Sequence, residues 1–267
     1  MLGRLWSLPG LSRIRRSGRL NALLGRSHGS HWGRFPTREA AAAYMRPSAQ
    51  LDYDDDRVVD MNVESFSRIH LFDWPVMFHL QRMIARGELR RVTDFGGHVG
   101  VKYLAYRDAL GFPDDLVWQV VDVPAMCRAG RRRSADIPQL RFHEALEDTM
   151  PSDVLLCSGS LQYVDAPLDQ ILARLPAPPP VILLNKVSVT EAAGFFTLES
   201  FGLGRMPHHV VALRELDMLR QRCGYELEAR WDIPDREFEV QAADGRQTVQ
   251  MIGEVWRRAG GSAAPAS

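Results

Sequence analysis

The residues best suited to chemistry lie in one short segment, Asp94-Phe95-Gly96-Gly97-His98-Val99-Gly100. Glycines there let a backbone approach a ligand, and a helix starting just after them favours an anionic group at its N-terminus. An acid two residues before the first glycine suits a ligand with an ammonium group. A second acid, Asp122, follows 28 residues after Asp94, where a carboxylate can accept both hydroxyls of a ribose. The dinucleotide fingerprint G-x-G-x-x-G fails, because His98 and Val101 stand where its later glycines belong. Downstream, Ser158, Gln162 and Tyr163 form a polar cluster. His208 and His209 suit base work near neutral pH, with a solvated loop pair as the plainer alternative. His98 reads either as a base beside the ligand or as packing. His70, His79 and His143 fall among apolar residues and read as structural. No two histidines have a metal spacing with a carboxylate, so no metal site is expected.

The elements that must hold these residues alternate. Asp73 caps a helix with Pro75 in its first turn and Val76, Leu80, Met83 and Ile84 on one face. Residues 91–95 read as a strand running into the glycines, and 99–111 as a helix. Further strands are expected over 116–123, 140–143, 153–157 and 181–189, with a helix over 165–175. Strands separated by helices predict an α/β, doubly wound, mostly parallel sheet. After a helix over 213–223, strands over 225–233 and 248–256 joined at Asp244-Gly245 predict an antiparallel edge hairpin.

Composition bounds the function. The chain has 267 residues, 45% hydrophobic and 25% charged, with no net charge, which excludes bulk disorder. Its three scattered cysteines argue against a disulfide scaffold or zinc ribbon and favour a reducing, cytoplasmic setting. No apolar run reaches the ~18–20 residues of a membrane span. Residues 1–38 carry eight arginines and no acid, so the remainder has 25 basic against 33 acidic residues. That acidic body argues against nucleic acid as a partner. The basic leader reads as a flexible segment; the alternative is contact with an anionic membrane surface at ~1 kcal/mol per arginine.

Asp94-Phe95-Gly96-Gly97 with Gly100 and Tyr103, then Trp118-Gln119-Val120-Val121-Asp122-Val123-Pro124, then Ser158-Gly159-Ser160-Leu161-Gln162-Tyr163, resemble class I S-adenosylmethionine-dependent methyltransferases. More narrowly they look like a bacterial family of uncharacterised methyltransferases, to which His31-Trp32-Gly33-Arg34-Phe35 and Gly224-Tyr225 are also similar. The resemblance spans roughly residues 31–256 and implies a seven-stranded, Rossmann-like sheet. It implies that Asp94, Gly96, Gly97 and Gly100 hold the methionine part of S-adenosylmethionine. Asp122 and Val123 then take the ribose, while Glu144, Ser158 and Gly159 edge the remaining cofactor. Two departures stand out: His98 occupies a usual glycine position, where Gly97 is expected to carry the unusual backbone angle instead, and Asp122 replaces a common glutamate.

The implied activity is methyl transfer to a small molecule or glycan precursor, preferentially at oxygen, with Tyr163, His208 and His209 as candidate catalytic groups. A non-catalytic binding protein of the same fold and a nucleotide-dependent oxidoreductase or sugar-modifying enzyme are the alternatives. The expected organisation is a leader over 1–38, a helical cap over 39–90, the α/β domain over 91–258 and a disordered tail over 259–267. Several marked features have plain readings. Asp54-Asp55-Asp56 reads as a solvated turn and Arg131-Arg132-Arg133 as a charged loop. Tyr44, Phe66, Phe72, Trp74 and Phe78 line either an acceptor pocket or the core beneath the cap.

Overall fold

The strand β2 (Arg91–Phe95), together with β3 (Val117–Val121), β4 (Leu140–His143), β5 (Val154–Ser158) and the first part of β6 (Val181–Thr190), forms a parallel sheet in the order β4-β3-β2-β5-β6. Of these, β3, β5 and β6 are nearly continuous apolar runs because helices cover both faces. The computed structural model describes residues 28–45, 54, 59, 63, 67–201, 204–243 and 245–260. β11 (Gly245–Arg258) lies antiparallel to β6, and β9 (Tyr225–Asp232) antiparallel to β11, completing a sheet of seven strands. The chain runs outward from β2 to β4 and then returns to β5. The carboxyl ends of β2 and β5 therefore flank a topological switch point, where open α/β sheets bind ligands.

Helix α2 (Trp74–Ala85) and α3 (Val101–Leu110) pack on one face around Val76, Leu80, Tyr106 and Trp118. α5 (Leu168–Ala173) and α6 (Leu213–Arg222) cover the other around Leu155, Ile171, Leu184 and Trp256. α4 (Pro124–Arg133) follows β3, and its first-turn amide at Ala125 donates to Asp54 at 2.7 Å. Asp54 thus satisfies a helix N-terminal donor rather than standing in a purely solvated turn; Asp55 and Asp56 lie outside the described residues. Arg131, Arg132 and Arg133 form the last turn of α4, not a loop, where positive charge complements the helix dipole.

Eleven strands are present among the described residues, where seven were expected. The additional four are β1 (His28–Phe35), β7 (Phe195–Phe201), β8 (Arg205–Ala212) and β10 (Phe238–Ala242). They join the far ends of β6 and β11 in the closed ring β6-β8-β7-β1-β10-β11. The result is a six-stranded barrel continuous with the main sheet. Registers put Ser188, Phe195, Thr197, Glu199, His31, Val210, His208, Val240 and Val249 on its inner face. Polar inner-face residues erase the apolar–polar alternation in β1, β7 and β8, so these segments do not read as strands; β10 keeps the alternation in Phe238-Glu239-Val240-Gln241 but is short.

Two further expectations change. β9 and β11 do pair, but the turn before Gly245 joins β11 to β10, and β11 lies inside the sheet between β6 and β9. The edge on this side is β9 alone, opposite β4. Within the basic leader, His28–Phe35 is strand β1 and Arg38 begins helix α1 (Arg38–Tyr44), capped by Thr37; residues 1–27 lie outside the described residues. So do the tail residues 261–267. No helix among the described residues is long and apolar enough to cross a membrane.

Candidate active site

The loop from Gly96 to Gly100 turns sharply because three of its residues adopt left-handed backbone: Gly96 (φ 71°), His98 (φ 57°) and Gly100 (φ 83°). His98 itself carries the angle expected of Gly97. Its amide donates to Asp122 Oδ2 at 2.7 Å, while Val123 N donates to Asp122 Oδ1 at 2.8 Å. Asp122 therefore ties the loop to the end of β3. Burial raises its pKa to about 6, against the opposing pull of those two amide bonds. A carboxylate offers about four acceptor sites, so two remain for a diol.

Asp94 occupies a different setting from the one expected. It is 1% exposed, and its Oδ2 accepts from Trp118 Nε1 at 3.0 Å. Burial pushes its pKa to about 7, with the indole bond opposing. A Cβ on Gly97 would meet the Asp94 carboxylate at 2.6 Å, and one on Gly96 would clash with Ser160 Cβ. These glycines thus serve close packing of the loop onto β2 and onto the turn after β5. Gly100 packs likewise against Leu140. Ser160 Oγ donates to Phe95 O at 2.6 Å, locking the two strand ends together.

Across the switch point, Asn185 Nδ2 donates to Ser158 Oγ at 3.4 Å. Asn185 Oδ1 and Gln162 Oε1 are buried without a hydrogen-bond partner among the described residues. Glu144, after β4, is exposed and accepts from Arg131 at 3.0 Å. A cavity of about 310 Å³ lined by Tyr103, Arg107, Phe112 and Gln139 lies away from this cleft, at the N-terminal edge of β3 and β4.

Sequence reading missed both lysines. The chain has only Lys102 and Lys186 among 33 basic side chains, and both lie here. Lys102 Nζ donates to the fully buried Asp73 at 2.8 Å, and Tyr106 Oη donates to the same oxygen at 2.7 Å. Lys186 follows Asn185 in a β-bulge, since Leu184 faces Glu254 and Val187 faces Ile252. Its φ is 57°, an unusual backbone for a residue with a side chain. The bulge aims its ammonium at Gly159, where a Cβ would lie 2.9 Å from Nζ. Burial lowers its pKa to about 7, with Lys102 adding to the effect. Phe72 sits among Lys102, Lys186 and Arg236, whose charged ends lie 5.3, 5.0 and 4.8 Å from its ring centre. The retention of just two lysines in an arginine-rich chain, one buried and one half-buried, was the signal that could have found them.

Tyr163, on the turn after β5, donates to Glu199 Oε2 at 2.7 Å, and His208 Nδ1 lies 2.8 Å from the same oxygen. His208 Nε2 lies 2.8 Å from Ser188 Oγ. Burial pushes the Glu199 carboxyl up, but the His208 bond and charge, His31 and Tyr163 outweigh it and hold the pKa below its ordinary value. His209 does not join this group. Neighbouring strand residues face opposite ways, and His209 stacks on Phe196 at 4.3 Å on the barrel's outer face. Burial, then His208 and Arg38, lower its pKa to about 4. His208 and His209 belong to strand β8, not a loop. Of the aromatic residues ahead of β2, Phe72 is buried, whereas Tyr44, Trp74 and Phe78 are exposed and Phe66 lies outside the described residues.

No family model matches the chain. A curated protein, the NAD-dependent histone deacetylase SIR2 of Candida glabrata, is 34% identical over 113 residues, 42% of this chain and 19% of that protein. The chain thus spans about a fifth of that relative's length. Among solved structures, an O-methyltransferase family protein from Burkholderia thailandensis is similar with a TM-score of 0.51 and 13% identity, covering 95% of this chain and 71% of that one. The PH0226 protein of Pyrococcus horikoshii OT3 matches with a TM-score of 0.51 and 12% identity, over 76% of this chain and all but 1% of the other, at 99%. The chain has a methyltransferase-like α/β fold.

Proposed function

We propose that the protein is an S-adenosylmethionine-dependent methyltransferase acting on a hydroxyl of a small molecule or glycan precursor in the cytoplasm. The observation that carries this reading is Asp122: a carboxylate beside the switch point, anchored by two backbone amides and retaining acceptor sites for a ribose diol. The unpartnered oxygens of Asn185 and Gln162 support it, since a ligand's ammonium group supplies the donors they need. Bound, the cofactor supplies an activated methyl group, so the protein's task is to hold an acceptor close and aligned. Tyr163 follows β5, one of the two strands that flank the switch point, and its bond to the ionised Glu199 polarises the phenol for proton transfer from a hydroxyl. The Phe72 cations favour an acceptor or cofactor group bearing negative charge near Gly159.

Retention of radiolabelled S-adenosylmethionine by the full chain, challenged with competitors, tests this reading. Displacement by S-adenosylhomocysteine and not by NAD⁺, the cofactor carried in the curated relative's name, is the expected result. Displacement by NAD⁺ alone would sink it.

A further inference from the structure

The inner face of the barrel gathers two histidines and a carboxylate from three separate strands. His31 on β1 lies opposite Glu199 on β7, and His208 on β8 lies opposite Thr197. One donor atom from each of His31, Glu199 and His208 lies within 4.8 Å of the other two. His31 is 6% exposed and His208 1%. Among the described residues, His31 Nδ1 and Thr197 Oγ1 are buried in this layer with no hydrogen-bond partner. A buried polar atom left unpaired points to a missing water or ion.

We propose that His31, Glu199 and His208 bind one divalent transition-metal ion, with Zn²⁺ the ion the donor set fits first. Two imidazoles and one carboxylate are a known zinc ligand set, and no thiolate is present to select a softer metal. In a tetrahedral site with bonds of about 2.0–2.2 Å, donor atoms sit roughly 3.4 Å apart. The 2.8 Å contact between His208 Nδ1 and Glu199 Oε2 and the 4.8 Å limit on the group bracket that spacing. Uptake therefore asks for side-chain adjustment, not movement of the barrel.

The surroundings are those a metal site needs. Ligating histidines use their second nitrogen for an outer hydrogen bond, and ligating carboxylates accept one. His208 Nε2 has Ser188 Oγ at 2.8 Å, and Glu199 has the Tyr163 hydroxyl at 2.7 Å. The His31 ring plane is held by Phe238, stacked at 3.7 Å. Thr197 Oγ1, on the same inner face, is available to a water on the ion. The ligands stand 168 and more positions apart in sequence except for Glu199 and His208, which is why no spacing revealed them. This inference goes beyond the cofactor reading and holds whether or not that reading does.

The test is Zn²⁺ binding by the full chain after dialysis against a chelator, read by competition with a chromophoric chelator. One equivalent with micromolar or tighter affinity is expected. His31→Ala and Glu199→Gln should each weaken it about 100-fold, and Ser188→Ala about tenfold. His209→Ala, altered on the outer face, should bind as the unsubstituted protein does. Circular dichroism establishes that each variant is folded. Should His31→Ala fail to fold, the thermal midpoint of the unsubstituted chain must rise with Zn²⁺ and that of Glu199→Gln must not. No binding by the folded chain, or binding unchanged in the folded His31→Ala and Glu199→Gln variants, overturns the proposal. S-adenosylhomocysteine affinity measured on the same samples separates this result from the fate of the cofactor reading.

Discussion

Asp122 and His98 are joined by a 2.7 Å bond from the His98 amide to Oδ2, and His98 makes that bond from a left-handed backbone with φ of 57°. The histidine therefore replaces a glycine in conformation as well as in position. Such a backbone costs roughly 1–2 kcal/mol for an ordinary side chain, and most for a β-branched one. His98→Val should lower stability by at least about 1 kcal/mol relative to His98→Gly. Urea unfolding of the two variants checks this, and equal midpoints would contradict the left-handed assignment.

Asp94 has a folded-state pKa raised to about 7 by burial. Its contribution to stability is therefore complete below the unfolded pKa of about 3.9 and is lost as pH rises through about 7. Asp94→Asn cannot titrate. The unsubstituted protein should lose stability relative to that variant between about pH 4 and pH 7, as urea midpoints across this window would show. Parallel pH profiles would contradict a buried carboxyl at this site.

Lys186 behaves in the opposite sense. Its pKa is lowered from 10.5 to about 7, so its stabilising contribution is present above the unfolded value and lost as pH falls through about 7. Arginine cannot shed its charge in this range. Between pH 7 and 10 the unsubstituted protein should gain about 1 kcal/mol per pH unit relative to Lys186→Arg. Denaturant titrations at three pH values suffice, and a constant gap would mean that Lys186 remains charged.

β3, β5 and β6 were legible as largely apolar runs punctuated by glycine and proline, as in Val154–Ser158 followed by Gly159, and β2 was legible from the glycines it runs into. The place of Asp122 at the end of β3, beside the glycine loop, was legible from order alone: strand, glycines, helix, strand, acid. The barrel was not. His31, Thr197, Glu199 and His208 point into its interior, so these segments show polar residues where a strand pattern wants apolar ones. The opposite fates of His208 and His209 follow from strand alternation, which a loop reading of β8 conceals. Lys186 escaped because its direction depends on a bulge against β11, a pairing between positions more than sixty residues apart.

Asp73 is fully buried and binds Lys102, Tyr106 and the His70 amide together. Removing it strands a buried ammonium. Asp73→Ala should cost about 3–5 kcal/mol, the usual penalty for breaking a buried ion pair from one side. A loss below 1 kcal/mol in chemical unfolding would contradict a buried Lys102 that depends on Asp73.

The central claim is that the cleft anchored by Asp122 binds S-adenosylmethionine, and calorimetric titration with S-adenosylhomocysteine tests it most directly. One site of micromolar affinity is predicted, weakened at least tenfold, about 1.4 kcal/mol, by Asp122→Ala. No binding by the folded protein, or an affinity indifferent to that substitution, would contradict the account.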